Sequence, residues 1–548
     1  MITSSADSED VHNLRNSSTQ NDSSGDNIDK ELNFLRHKLE KFQHRILKDV
    51  MEDVIREIHL YEFTKNEFRN LNLQYQNRLY TSYNRVRVTS QESNSNTINI
   101  VKQKQRLPEK VFVSRESYLT ALLEVDHIKT ILYIFYAILL VLFLNTLCYS
   151  YFAEEKIKIG LDAFKSGFEK IEYVFLIWCF QHVFVFLLYF AFKLWASVRS
   201  KLHELPFLLY FWSIGCLIIY ISSQLLFGYE ASIYCLKLNL PFVCGGVLLL
   251  ETTRLLMKMH SFVRLNARRI ITGNLKLDSG DNNLDNPLNS LSVLKFSNYV
   301  YFLFAPTLLY RDSYPRTRHI RWKFALTRFM EVVAVAFMYS YLHERYIRVY
   351  FANMCLEELH GPQIVDKLFG MLMPGAIIFL CGFYLIQHSW LNFTSEILRF
   401  GDRLFYKNWW SLSAVDVFFR SWNIPIHDWL YEFIYKDLYE YVFRRSKAIA
   451  ASFTFFVSAA VHEYILSLAF HSFFPVIFFF FFVFSVPMFL IAGKVKIGNF
   501  LFWSLQILTN GTIITLYSME YYARQNYPRS LENWSDYLLP TIWVCYNK

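Results

Sequence analysis

The sequence has little charge and lacks the motifs that mark many soluble enzymes. Of its 548 residues, only 19% are charged, whereas 53% are hydrophobic and 18% are aromatic. That balance excludes an ordinary soluble domain. The eight cysteines include no CxxC pair, so neither a zinc site nor a disulfide scaffold is indicated. The absence of GxSxG, GxxxxGK[ST], HExxH and GxGxxG leaves the corresponding active-site classes without support.

Two further features are missing from the sequence. The net charge is +9, but the basic residues stand between apolar runs and form no stripe within a nucleic-acid motif, so we expect no nucleic-acid partner. The N-terminus is polar and has no apolar h-region. We therefore expect no cleavable signal peptide, and the first spanning helix is expected to act as the insertion signal.

Long apolar runs dominate the chain after residue 126. Their length and hydropathy predict about nine transmembrane helices, and hence an all-α polytopic membrane protein. The candidates are centred near 131–151, 173–193, 205–227, 232–257, 322–345, 368–389, 448–470, 473–492 and 498–520. Lysine and arginine are concentrated in the loops after the second, fourth and sixth candidates. The positive-inside rule then predicts a cytosolic N-terminus and, for an odd number of spans, a luminal C-terminus.

The region before the first span is expected to be cytosolic. Residues 1–28 are rich in Ser, Asn and Asp and are predicted to be disordered. Residues 29–126 are predicted to contain an amphipathic helix over about 30–60, followed by a polar linker at 88–107. The helix either docks on its own protein or drives self-association. The membrane domain is predicted to span 127–548.

His462 is the first candidate for chemistry, because it lies inside the apolar run 448–470. An ionisable side chain is costly in a bilayer and usually faces a cavity or a partner. A neutral histidine in a dry site can take a proton from a hydroxyl, but it can also make a structural bond between helices. Ser458 lies one helical turn earlier on the same face. Glu463 points about a quarter-turn away and is assigned no role.

The stretch 393–447 is aromatic and moderately basic, and it is not apolar enough to span. Such segments lie in the membrane interface or re-enter it. Asn423 precedes a predicted helix whose first turn contains Pro425. Its amide either caps that helix or donates to an oxyanion that develops during acyl transfer. His427 either is a polar group of the site or packs at the interface.

Several segments together resemble one enzyme family. They are 123–128 (LEVDHI), 301–316, 388–392 (HSWLN), 398–402 (LRFGD) and the box 405–410 (FYKNWW). From about residue 112 onward the chain resembles the membrane-bound O-acyltransferases, and within them the sterol O-acyltransferase branch. The diacylglycerol acyltransferase branch shares the box and the histidine, but it has His-Lys-Trp where this chain has His427-Asp-Trp. A proton-relaying transporter is the non-enzymatic alternative.

The resemblance implies a fold in which interfacial helices surround a central tunnel, in the endoplasmic reticulum membrane. It implies that His462 is the catalytic base, that Asn423 holds the thioester carbonyl or the CoA arm, and that His427 lies beside the tunnel. The family's acyl-CoA contacts correspond here to Trp410, Arg420, Tyr435, Lys447 and Ser458. Acyl-CoA and a sterol would be the substrates, with no metal or other cofactor. The chain would assemble as a homodimer or as a homotetramer built from two dimers.

The chain departs from the family pattern at two places. Asn408 stands where the box usually has Asp, so a role that needs that carboxylate is in question. Tyr527 replaces the first cysteine of the luminal pair that the branch can carry, which leaves Cys545 alone. We therefore expect no such disulfide.

Overall fold

The structure, a computed structural model, describes residues 109–154, 161–272, 294–356, 360–411, 415–443, 445–487, 498–528 and 539–546. Within these ranges the chain is helical and forms no named β-strand. Two isolated bridges, Arg115 with Asp402 and Arg316 with Phe400, have strand-like pairing. The predicted disordered segment, the association helix and the linker all lie outside the described residues.

The α-helices of the described ranges are numbered in chain order. They are α1 (Tyr118–Leu122), α2 (Asp126–Glu154), α3 (Leu161–Gly167), α4 (Ile171–Lys201), α5 (Pro206–Lys237), α6 (Phe242–Thr272), α7 (Phe296–Phe304), α8 (Trp322–Leu342), α9 (Val349–Phe351), α10 (Gly361–Gly382), α11 (Leu391–Ile397), α12 (Val415–Ser421), α13 (Ile424–Leu430), α14 (Lys447–Ala469), α15 (Val476–Phe478), α16 (Asn499–Asn526) and α17 (Thr541–Tyr546). Five π-helical turns extend or join them, at His343–Arg348, Phe383–Trp390, Tyr431–Tyr435, Leu438–Val442 and Phe479–Phe484.

Seven helical rods in the described part are long and apolar enough to cross a bilayer. They are Asp126–Asn145, Ile171–Lys201, Pro206–Lys237, Trp322–Phe351, Gly361–Ile397, Lys447–Ala469 and Asn499–Asn526. Two rods are composite, because π-turns join α8 to α9 and α10 to α11. Each of the seven coincides with a predicted span. The multi-pass helical architecture is confirmed, whereas the count of nine is not.

The other two predicted spans also fall on helices, but one of these helices buries polar residues and the other is short. The candidate at 232–257 falls largely on α6, whose polar residues are held inside the protein. Lys258 is buried, and its Nζ donates to the carbonyls of Phe302, Leu303 and Ala305 at 2.7, 2.8 and 2.7 Å. The candidate at 473–492 falls on Val476–Pro487, an apolar helix shorter than the seven rods.

Close packing fixes the helices that lie around α14. Buried Leu248 and Leu249 of α6 pack with Ile465 and Ala469 of α14 in one core cluster.

Elsewhere α10 crosses α16 at two glycines, since a Cβ added at Gly375 would lie 2.8 Å from the Cα of Gly511. Small residues at such crossings let backbones approach closely within a membrane.

The expectation that Cys545 has no disulfide partner is wrong. Cys545 of α17 is bonded to Cys355, and the two Cα atoms are 5.5 Å apart. The partner lies 190 residues earlier in the chain, just after α9, where no local sequence pattern indicates it. The N-terminus of α17 is fixed as well, because the Glu520 carboxylate accepts hydrogen bonds from the amides of Thr541 and Ile542 at 2.9 and 3.2 Å.

We expect Cys355→Ser to destabilise the protein by about 2–5 kcal/mol, because the bond closes a long loop and constrains the unfolded chain. Thermal unfolding of detergent-solubilised protein measures the effect, and peptide mapping without reduction locates the bond. Cys148→Ser is the control, since that exposed cysteine is free. Equal melting temperatures for the two variants, with both thiols of the pair alkylated in the wild type, would contradict the assignment.

Candidate active site

His462 lies in the second half of α14 with its side chain accessible. The neighbouring Glu463 and Ile465 are buried, and the Ile465 face of the helix packs against α6. The imidazole precedes Ile465 by three residues, on the same side of α14. It meets the π-turn Phe479–Phe484, where its ring stacks on Phe481 at a centroid distance of 5.3 Å. The ring of His462 thus contacts another helical segment, and its catalytic role stays a prediction.

A hydrogen bond to the backbone fixes the proton on the His462 ring. Nδ1 lies 2.7 Å from the carbonyl oxygen of Ser458. A carbonyl only accepts, so Nδ1 must carry the hydrogen, and in the neutral ring Nε2 then presents its lone pair. No described residue forms a hydrogen bond with Nε2. Ser458 thus acts on His462 through its backbone oxygen, and the ring is left with one open basic nitrogen.

Asn423 is the N-cap of α13. Its Oδ1 accepts a hydrogen bond from the amide of Ile426 at 3.2 Å, and Pro425 occupies the first turn as expected. This geometry supports the capping interpretation. The amide nitrogen of the side chain is not used by the cap. No hydrogen bond joins Asn423 to His462 within the described part of the chain.

An aromatic ladder runs along the helical segment that begins with α13. The rings of His427, Tyr431, Tyr435 and Tyr439 stack in sequence, with centroid distances of 6.2, 5.6 and 5.9 Å and interplanar angles of 10°, 15° and 8°. Burial and the neighbouring Tyr439 raise the pKa of Tyr435, while the charge of Arg420 opposes the rise. The structure therefore brings three predicted residues, His427, Tyr435 and Arg420, into one neighbourhood.

Phenylalanine rings connect this neighbourhood to His462. Phe419 of α12, next to Arg420, packs against Phe455 of α14 at 4.9 Å and against Phe481 at 5.4 Å. Phe481 is the ring that stacks on His462. The interfacial stretch therefore reaches the histidine through two ring contacts.

The remaining two predicted residues lie apart from this group. Trp410 is half-buried in an aromatic cluster, with its ring 5.7 Å from Trp409 and 5.8 Å from Tyr118. Lys447 is exposed at the first residue of α14. At 1.5 Å per residue it lies about 22 Å along the helix from His462, so the two side chains are at opposite ends of α14's first two-thirds and do not form one compact site.

A strap formed by residues 109–117 anchors α13 and the aromatic box. Lys110 forms an ion pair with Asp428, which also lies 3.4 Å from His427 Nδ1. Burial raises the pKa of Asp428, but the hydrogen bond from His427 and the charge of Lys110 outweigh it, so the net pKa is lowered. Arg115 binds Asp402 at 2.8 Å. These residues were assigned to the cytosolic region, yet they contact the membrane domain.

Comparison with known proteins decides the family. The sequence profile of the membrane-bound O-acyltransferase family matches residues 251–519. Sterol O-acyltransferase 1 from Mus musculus is 37% identical over 442 residues, which cover 80% of this chain and 79% of that protein. Sterol O-acyltransferase 2 from Homo sapiens is 30% identical over 442 residues, covering 80% and 81%. This chain belongs to the membrane-bound O-acyltransferase family.

The chain is thus an O-acyltransferase, and its structure adds residues to the site that the sequence reasoning missed. Tyr431 and Tyr439 complete the aromatic ladder, and their spacing of four from His427 and Tyr435 could have revealed them. Phe419 and Phe481 had no comparable signal, because both stand among many other phenylalanines.

Two expectations remain open in this family member. Within the described ranges, no group of three His, Cys, Asp or Glu residues could hold a metal ion, and the lack of a cofactor stays a prediction. Asn408, which replaces the usual Asp, is half-buried, and its Oδ1 is buried without a hydrogen-bond partner among the described residues. A buried carboxylate normally accepts hydrogen bonds, and no described residue donates one to this oxygen of Asn408.

We expect Arg403→Met to destabilise the membrane domain by about 3 kcal/mol, because it breaks a buried charge pair. Arg403 is 1% exposed, and its Nη2 lies 2.7 Å from Glu396, at ion-pair distance although not aligned as a hydrogen bond. Arg264→Met is the control, expected to cost less than about 1 kcal/mol because both members of its ion pair with Asp437 are partly solvated. Equal losses in thermal unfolding would contradict the prediction.

Proposed function

We propose that this enzyme is an acyl-CoA:sterol O-acyltransferase, which transfers a long-chain acyl group to the 3-hydroxyl of a sterol. The relatives that match over four-fifths of the chain are named sterol O-acyltransferases. The observation that carries the mechanism is the bond from His462 Nδ1 to Ser458, since it leaves Nε2 as an open base within a membrane helix.

The proposed reaction is a direct transfer. The sterol oxygen attacks the thioester carbonyl carbon while its proton moves to His462 Nε2. The tetrahedral oxyanion then collapses and the carbon–sulfur bond breaks. The proton passes from His462 to the leaving thiolate, which gives free CoA and a neutral ester. Acyl-CoA is a substrate, and no metal or redox cofactor takes part.

Asn423 is proposed to serve the oxyanion while it caps α13. The cap uses Oδ1, so the side-chain NH2 can donate to the thioester carbonyl as negative charge develops there. A group that is already held by a helix terminus needs little reorganisation during the reaction. The two roles considered from the sequence are therefore compatible.

Acyl-CoA is proposed to approach along the aromatic ladder. Arg420 and Lys447 are exposed cations that suit phosphate groups, and the ladder between His427 and Tyr439 offers flat ring faces. Ser458 and Trp410 complete the proposed contacts. The positions of Lys447 and His462 at different depths of α14 suit a long ligand with the phosphates at one end and the thioester at the other.

The enzyme is proposed to reside in the endoplasmic reticulum membrane with a cytosolic N-terminus and a luminal C-terminus. Counted over the nine predicted spans, the positive-inside pattern predicts that both the loop after α9 and the C-terminus are luminal. The disulfide between Cys355 and Cys545 supports this arrangement, because such bonds persist in oxidising compartments. Assembly into a dimer or a tetramer through the region before residue 126 is also part of the proposal.

We expect His462→Asn to abolish ester formation, lowering kcat by about 100-fold or more, because the base is lost. Asparagine retains an N–H close to the position of Nδ1, so a merely structural bond to Ser458 would survive. Microsomes supplied with labelled oleoyl-CoA and cholesterol provide the assay. His343→Ala is the control, a histidine in another span that contacts Tyr522 at 3.3 Å.

The same microsomes are assayed with cholesterol, diacylglycerol and a long-chain alcohol. The proposal expects a clear preference for the sterol in the wild type and no ester from any acceptor in His462→Asn. Near-wild-type ester formation in that variant would overturn the catalytic assignment. A preference for diacylglycerol would overturn the substrate assignment while leaving the enzyme class intact.

A further inference from the structure

Glu463 adjoins the candidate base but has no part in the mechanism above. The residue is 4% exposed. Its carboxylate accepts hydrogen bonds from the Phe478 amide at 3.1 Å, from the Tyr517 hydroxyl at 3.1 Å and from the Ser467 hydroxyl at 3.1 Å. All three partners are donors, and no lysine or arginine of the described residues forms an ion pair with this carboxylate. A carboxylate, which only accepts hydrogen bonds, therefore suits the donors that surround this position.

The partners show that Glu463 holds the start of another helix. The first amides of a helix have no acceptor within it and need one from elsewhere. In α15, the Ile477 amide donates to the Tyr517 hydroxyl at 3.1 Å, and the Phe478 amide donates to Glu463 Oε2. Tyr517 in turn donates to Glu463. Side chains from α14 and α16 together cap α15.

The capped helix positions the ring that stacks on the base. α15 continues directly into the π-turn Phe479–Phe484, which contains Phe481. The Phe481 ring lies 5.3 Å from the His462 ring at an interplanar angle of 27°. The bond to Ser458 fixes one nitrogen of His462, and the stacked ring limits rotation of the imidazole about that bond. Together the two contacts determine where Nε2 lies.

We propose that Glu463 is a positioning residue for acyl transfer, acting on His462 through the α15 cap and the Phe481 ring. This inference rests on the proposed function, in which His462 is the base. Glu463 itself touches neither substrate nor reacting atom. Its carboxylate fixes the position of the start of α15 relative to α14. That position determines where the Phe481 ring contacts the imidazole.

Glu463→Gln tests the inference with minimal change in volume. An amide keeps one accepting oxygen but turns an NH2 toward partners that donate, so the cap is weakened. We expect kcat to fall about 10- to 100-fold, because small displacements of a catalytic group are costly, while KM for acyl-CoA stays within about twofold. The measurement uses purified protein in lipid nanodiscs with oleoyl-CoA and cholesterol.

Glu520→Gln is the matched control. Glu520 is a buried carboxylate that caps another helix, α17, through the amides of Thr541 and Ile542. It has no contact with the stacked rings. If Glu463→Gln only lowered stability and did not displace the base, it should therefore affect kcat no more than Glu520→Gln does. We expect Glu520→Gln to keep kcat within about twofold of the wild type, whatever its melting temperature.

Two further variants keep the test decisive if Glu463→Gln does not fold. Tyr517→Phe removes one donor from the same cap and should lower kcat without changing KM. In a Phe481→Leu background the Tyr517 and Glu463 substitutions should have little further effect, because the ring through which they act is gone. Fully additive losses, or a kcat for Glu463→Gln and Tyr517→Phe equal to that of Glu520→Gln, would overturn the inference. If His462→Asn remains active, the proposed function fails instead.

Discussion

Glu396 is fully buried and binds the guanidinium groups of Arg321 and Arg403, at 2.9 and 2.7 Å. A buried carboxylate without such partners would be strongly unfavourable, so these segments of chain must meet. Arg321 immediately precedes α8, and Arg403 stands just before the aromatic box. Glu116 of the strap binds both arginines, at 2.9 and 3.2 Å. The box leads into α12 and α13. This cluster of charges therefore fixes the position at which the segment containing Asn423 and His427 begins.

The same requirement operates inside the spans. An apolar environment leaves each polar group to find its partner within the protein, and the partners decide geometry. For His462 the partner is a carbonyl of its own helix, which selects the proton position and leaves Nε2 open. For Glu463 the partners come from other helices or the next turn, so that residue ties α14 to α15 and α16. We therefore propose different roles for these adjacent residues: His462 presents a base, and Glu463 fixes the position of the segment that contacts it.

The sequence predicted the helical membrane class and most of the spans, because hydropathy is a local signal, and it singled out His462 as an isolated ionisable residue within a span. The span candidates at 232–257 and 473–492 are not confirmed, and hydropathy does not reveal that Lys258 is held by backbone carbonyls or that Val476–Pro487 is shorter than the other apolar helices. The pairing of Cys355 with Cys545 and the stacking of Phe481 on His462 depend on segments far apart in the chain. Neither could be predicted from local spacing. Asn423 shows an intermediate case, where the pattern indicated a cap and the structure has one.

We propose that His462 Nε2 faces the carbonyl carbon of the bound acyl thioester. An electron cryo-microscopy structure with a non-hydrolysable acyl-CoA analogue tests it directly. This arrangement predicts that the carbonyl carbon lies within about 6 Å of Nε2, which leaves room for a hydroxyl oxygen about 3 Å from each. It also predicts that the Ser458 bond and the Phe481 contact are retained. A carbonyl carbon bound more than about 9 Å from Nε2, with another titratable side chain beside it, would contradict the role of His462 as the base.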